Sequence, residues 1–103
     1  MILTTTPTVE GKRIVEYKGI VFGESAVGAG AGRNLAAIVA GLTGERSGGY
    51  EDKLGEARVA AFWEMEQRAQ ALGANAVVGI DVDYEKFTSL LMICVSGTAV
   101  VVE

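Results

Sequence analysis

Histidine is absent from this chain of 103 residues, and cysteine, proline and tryptophan occur once each. Each scarcity removes a class of chemistry. Without histidine, a serine or cysteine nucleophile lacks its usual base, so no catalytic constellation is expected. Zinc and copper sites draw on several His or Cys ligands, which a single copy does not possess. One cysteine forms no intrachain disulfide. Flanked by Ile93 and Val95, Cys94 is expected to be a small buried core residue rather than a nucleophile. The start, Met1-Ile2-Leu3-Thr4-Thr5-Thr6-Pro7, shows no basic stretch followed by an apolar one and does not read as a secretory signal. No uncharged apolar window approaches the ~18 residues of a membrane span, so the cytoplasm is the expected compartment.

Positive charge is scarce as well. Nine Lys and Arg stand against 13 Asp and Glu, a formal net charge of −4. The basic residues are scattered, which argues against nucleic acid and anionic membranes as partners, since both reward clustered Lys and Arg. What the chain has in quantity is apolar surface, at half of all residues. The mean hydropathy is +0.31. A small protein has too much surface to hide that much alone, so self-association is expected.

The apolar residues are patterned. Ile2–Thr6 is a short β-branched run stopped by Pro7, read as an edge or subunit-bridging strand. Arg13–Ser25 alternates apolar and polar residues, with Gly19 and Gly23 marking a bulge or bend. A glycine-rich hinge at 28–32 leads to a helix expected over Arg33–Thr43 and ended by Gly44. A second helix is expected from Tyr50 to Leu72, with an inner stripe of Leu54, Ala57, Ala61, Met65, Ala69 and Leu72 and a stop at Gly73. Val59, Phe62 and Trp63 lie off that stripe and read as a subunit contact or as cover for the first helix. Two strand runs joined by a polar turn close the chain. In the second, Leu90–Val95 is apolar at six consecutive positions, so both of its faces are expected against protein.

The element order implies a single α+β domain over residues 1–103. Its expected architecture is a two-layer β-α-β-β sandwich with a mostly antiparallel sheet. An extra short N-terminal strand is added, and two consecutive helices cover one face. The fully apolar last strand is expected in the middle, between the long strand and its hairpin partner.

Several pieces together resemble one family. They are Ile2-Leu3-Thr4-Thr5-Thr6, Gly23-Glu24 followed by Gly28-Ala29, the turn Gly44-x-Arg46-Ser47-Gly48-x-Tyr50-Glu51, the strand from Gly73 to Glu85 and the closing Val95-Ser96-Gly97-Thr98-Ala99-Val100. In that order they span essentially the whole chain and resemble the YbjQ-like family of small microbial proteins, which carries a heavy-metal-binding label without an established activity. The resemblance implies a dodecin-like subunit assembled into a ring, usually a homopentamer. This chain departs from the family pattern at Gly28-Ala29-Gly30-Ala31-Gly32-Arg33-Asn34, where the family commonly has bulky residues before an Arg-Asp pair.

Three groups of residues are candidate sites. Asp81, Asp83 and Glu85 alternate along a strand, so their carboxylates share a face at steps of about 7 Å. They suggest a site for a divalent cation, Ca²⁺ or Mg²⁺. The plainer reading is a solvated face, or salt bridges to Arg13, Lys18 or a neighbouring subunit. Arg33 after the glycine run, and Arg46-Ser47 before the second helix, sit where backbone N–H groups and a helix dipole favour an anion. A flexible hinge and a helix cap are the simpler alternatives. Arg46, Tyr50 and Glu51 could equally serve an enzyme acting on a small anionic substrate in an inter-subunit cleft. Phe62 and Trp63 suggest an aromatic clamp for a flat ligand, or simply packing. No cofactor is evident beyond the cation. The function expected is that of a homo-oligomeric binding or scaffold protein.

Overall fold

The C-terminal hairpin and the long early strand form one sheet, with the most apolar strand inside it. The computed structural model describes residues 1–28, 50–87 and 90–103. The elements are β1 (Ile2–Leu3), β2 (Ile14–Gly28), α1 (Tyr50–Ala71), β3 (Ala76–Phe87) and β4 (Leu90–Val102). The strand order is β1-β3-β4-β2. β4 runs antiparallel to both neighbours, and β1 adds to β3 in parallel. This is the expected α+β architecture with its last strand in the middle. The helix expected at 33–43 lies outside the described residues, so one of the two expected helices is described. The N-terminal run pairs in parallel with the chain's own β3 and forms one edge of the sheet. Thr4 and Thr6 prolong that pairing: the Thr4 N–H donates to Val77 O, and the Gly79 and Ile80 N–H groups donate to Thr6 O and Thr4 O.

α1 lies across one face of the sheet, mainly over β2. Its inner stripe is Ala57, Ala61, Met65 and Ala69, all buried, with Leu54 partly so. Small residues let the helix approach closely. A Cβ built on Gly23 would collide with the Ala61 carbonyl, so only glycine fits there. Gly23 is thus a close approach and causes no break in register, whereas Gly19, at φ +127, accompanies a shift in the β2–β4 pairing. Leu72, expected in the inner stripe, is 44 % exposed. The helix has already ended at Ala71, because Gly73 adopts φ +87 and closes a Schellman turn. There the Ala74 N–H donates to Ala69 O and the Gly73 N–H to Gln70 O.

Core-facing strand residues include Val21, Val27, Val77, Ile80, Ile93, Val95 and Ala99. A second cluster lies on the other face at one end of the sheet, where Ala76, Val78, Val100 and Val102 are covered by Ile2, Val9 and Ile14. The cover on both faces expected of Leu90–Val95 is not found there among the described residues of one copy; β4 is buried on both faces only near Val100 and Val102, at its other end. From Met92 to Gly97 burial alternates instead. Ile93 and Val95 face the core, and Met92, Cys94 and Ser96 are half-buried on the open face.

Candidate functional site

The open face of the sheet gathers the carboxylates of Glu24, Asp81, Asp83 and Glu85. Gly79, at φ +62, inserts an extra residue into β3 between Val78 and Asp81. This bulge reverses the side-chain alternation, so Val77 and Ile80 both point to the core. Beyond it, Asp81, Asp83 and Glu85 take the open face while Val82 packs against the core. Tyr84 turns the same way as Val82, and its hydroxyl accepts a hydrogen bond from Arg58 Nη1 of α1 at 3.0 Å. The expected division of the strand is what the structure shows.

Pairing then adds residues that local periodicity does not connect. Asp83 is opposite Cys94, and Cys94 is opposite Glu24 of β2. In the next rows Asp81, Ser96 and Phe22 align, as do Glu85, Met92 and Ala26. Asp83 and Glu24 therefore flank a thiol, with Asp81 close enough to act on it. Asp83 has its carboxyl raised above the ordinary 3.8, first by hydrogen bonding with Asp81, then by the negative charge of Asp81, slight desolvation and Glu85. The Cys94 thiol is raised above 9.0 by burial first, then by Glu24, Asp83 and Asp81. Cys94 is thus half-buried on the open face rather than a core residue, and it is held in the protonated form. A protonated thiol is a poor nucleophile.

Among the described residues the ion pairs are Lys18–Glu16 at 2.9 Å and Arg68–Glu64 at 3.4 Å. Neither involves the three strand carboxylates, and Lys18 is committed to Glu16. No group of three or more His, Cys, Asp or Glu placed to hold a metal ion occurs among the described residues. A soft heavy metal does not fit one copy: histidine is absent from the sequence and there is a single thiol, where such sites draw on several Cys or His ligands.

The other candidates fall elsewhere. Arg33, Arg46 and Ser47 lie outside the described residues. Tyr50 and Glu51 open α1, but their side chains also lie outside the description. Phe62 packs partly against the core, while Val59 and Trp63 remain exposed. With Arg58 and Glu66 these three line an open groove of about 380 Å³ on the outer side of α1. The free edge of β2 is occupied by α1 side chains. The Glu24 N–H donates to Glu64 Oε1 at 3.0 Å, and Arg68 Nη1 donates to Phe22 O at 2.9 Å. No described helix is long and apolar enough to cross a membrane.

A family model described as "Putative heavy-metal-binding" matches residues 1–103. A UPF0145 protein of Listeria grayi is 56 % identical over 106 residues, covering all of both chains. The crystal structure of a protein of unknown function from Pediococcus pentosaceus, assigned to the DUF74 family, superposes with a TM-score of 0.61. It covers all of this chain and 98 % of that one at 16 % identity, a likeness of fold alone. With a family match over residues 1–103 and a relative 56 % identical and covered in full, the chain belongs to the YbjQ-like, or UPF0145, family.

Proposed function

We propose that the chain works as a homo-oligomeric scaffold, a pentameric ring, that holds cations or small ligands between subunits rather than turning over a substrate. One observation carries this reading. Large apolar side chains are exposed on two opposite sides of a single copy: Tyr17, Ile20 and Phe22 on the open sheet face, and Val59 and Trp63 on the outside of α1. Scattered exposed apolar residues are ordinary, but contiguous stripes on a small protein mark contact surfaces. The ring and its subunit number are what the family resemblance implies.

The acidic rows supply the binding half of the proposal. Glu24, Asp81, Asp83 and Glu85 concentrate negative charge that attracts a divalent cation. Hard cations take six or more oxygen ligands, more than these side chains bring together in one copy. Water or a neighbouring subunit completes the shell.

Native mass spectrometry, with and without chelator, tests both halves. The expected species is five times the 10.8 kDa chain, with cation adducts that the chelator strips while the assembly persists. A single chain under the same conditions overturns the assembly. Masses unchanged by chelator overturn the cation.

A further inference from the structure

Among the described residues β2 ends the sheet on one side, and at 15 residues it is long for an edge strand. An exposed edge offers unpaired N–H and C=O groups to any extended chain, and a hydrophobic one invites aggregation. Between Gly19 and Gly23 this strand carries the uncharged run Ile20-Val21-Phe22, with Ile20 and Phe22 exposed. Runs of high β-propensity and low charge pair readily with added strands. The question is what keeps this edge closed.

Two side chains of α1 reach its outer edge. Glu64 Oε1 accepts from the Glu24 N–H at 3.0 Å, and Arg68 Nη1 donates to Phe22 O at 2.9 Å. These backbone groups flank Gly23, and one residue of a parallel neighbouring strand would bond both of them. Glu64 and Arg68, one helical turn apart, take the same two positions: an acceptor for the N–H and a donor for the carbonyl. They also pair with each other at 3.4 Å, and both are partly exposed. An exposed ion pair adds little to stability, so the contacts with the backbone are the ones that matter. Gly23 permits the reach, because its missing Cβ admits the Ala61 carbonyl and brings α1 down onto the strand.

We propose that Glu64 and Arg68 guard the β2 edge: by filling the hydrogen-bonding positions beside Gly23, they close it to a further strand. A strand added in either direction needs Phe22 O and the Glu24 N–H to run past Gly23, and the two side chains stand in its path. Nearer the start of β2, register shifts at Ile14/Glu16 and Tyr17/Gly19 break the regular edge, which hinders pairing there by irregularity. The guard thus stands on the regular stretch, next to its most apolar residues. It operates within one copy and is independent of the ring proposed above.

Amide hydrogen exchange and aggregation, measured on the same variants, test the guard. Glu64→Ala leaves the Glu24 N–H without its acceptor. That amide is expected to exchange roughly tenfold to a hundredfold faster by NMR, as befits the loss of one bond to a charged group. Glu64→Gln keeps an acceptor oxygen and is expected to exchange at the wild-type rate. Glu64→Ala combined with Arg68→Ala, folded by circular dichroism, is expected to form thioflavin-positive aggregate sooner than the wild type at equal concentration. Ile93→Val, a core substitution that leaves the edge intact, is the control for general instability and is expected not to do so. Unchanged exchange at Glu24 in Glu64→Ala overturns the bond as a guard. An opened amide with wild-type aggregation overturns the guarding role, as does Ile93→Val aggregating as fast as the double variant. Should the double variant fail to fold, Arg68→Ala alone, which frees Phe22 O, is read in its place.

Discussion

At the scale of single residues, the acidic face is a penalty that the fold carries openly. Asp83 is exposed, and its carboxyl is raised because Asp81 shares a hydrogen bond with it and because Asp81 and Glu85 add negative charge. A carboxyl raised in the folded state binds its proton more readily there than in the unfolded chain. Between its ordinary 3.8 and the raised folded value the native state therefore holds more protons, and its stability falls as pH rises through that window. Above the window the full penalty applies; below 3.8 it is gone. Asp83→Asn removes it. In chelator-containing buffer the variant is expected to melt above the wild type at neutral pH. The gap should close as pH is lowered towards 3.8 in a Tm-against-pH series. A gap that stayed constant with pH would mean the repulsion is not what Asn relieves. That Asp81, Asp83 and Glu85 share a face was legible from alternation along a strand. That Glu24 and Cys94 join them was not, since this depends on the register of β2 and β3 against β4, which no local pattern encodes.

At the scale of elements, the apolar run Leu90–Val95 was enough to place β4 centrally, because no edge strand would be so greasy. Its sidedness was not legible. Val100 and Val102 are buried on the open face beside Ile14 of β2 and Val9, and Val9 comes from a segment with no periodic signal. The Gly79 bulge was also hidden, because glycine within an apolar run resembles any weak point in a strand. The helix's inner stripe was readable from its period except at Leu72, where the Schellman turn carries the chain away from the core. Gly23 shows why small residues matter where helix meets strand. Its missing side chain admits the Ala61 carbonyl, and the buried Ser25 hydroxyl, two residues on, donates to Ala57 O. Gly23→Ala forces α1 off β2 and is expected to cost roughly 1–3 kcal/mol as an overpacked contact. Gly55→Ala is the matched control. It lies within the same helix and its Cβ meets nothing nearer than Arg58 Nη2 at 4.0 Å. It is expected to stabilise by up to about 1 kcal/mol through helix propensity. Urea midpoints of the two variants should therefore move in opposite directions. Movement in the same direction would show that the close approach of α1 to β2 does not govern stability here.

At the scale of the whole molecule, the sheet is covered unevenly. α1 shields one face, and the N-terminal segment shields one end of the other. The remainder of the open face carries Ile20, Phe22 and Tyr17 beside the acidic rows. In the proposed oligomer another copy closes that surface and ties folding to association, since only folded chains present it. Anything that binds the native state alone stabilises it by mass action. For a ring that falls apart on unfolding, each tenfold rise in chain concentration is worth roughly 1 kcal/mol per subunit, and a domain of this size answers with a Tm higher by roughly 4 °C or more. The wild type is expected to show that dependence across a dilution series followed by circular dichroism. Ile20→Glu, with its sheet surface spoiled, is expected to melt at one temperature whatever its concentration. The comparison separates two effects that a single melting curve confuses, because a charge added on an exposed strand changes intrinsic stability by one fixed amount at every dilution. Only lost association removes the slope, so a variant that kept the wild-type slope would place the subunit contact somewhere other than this face.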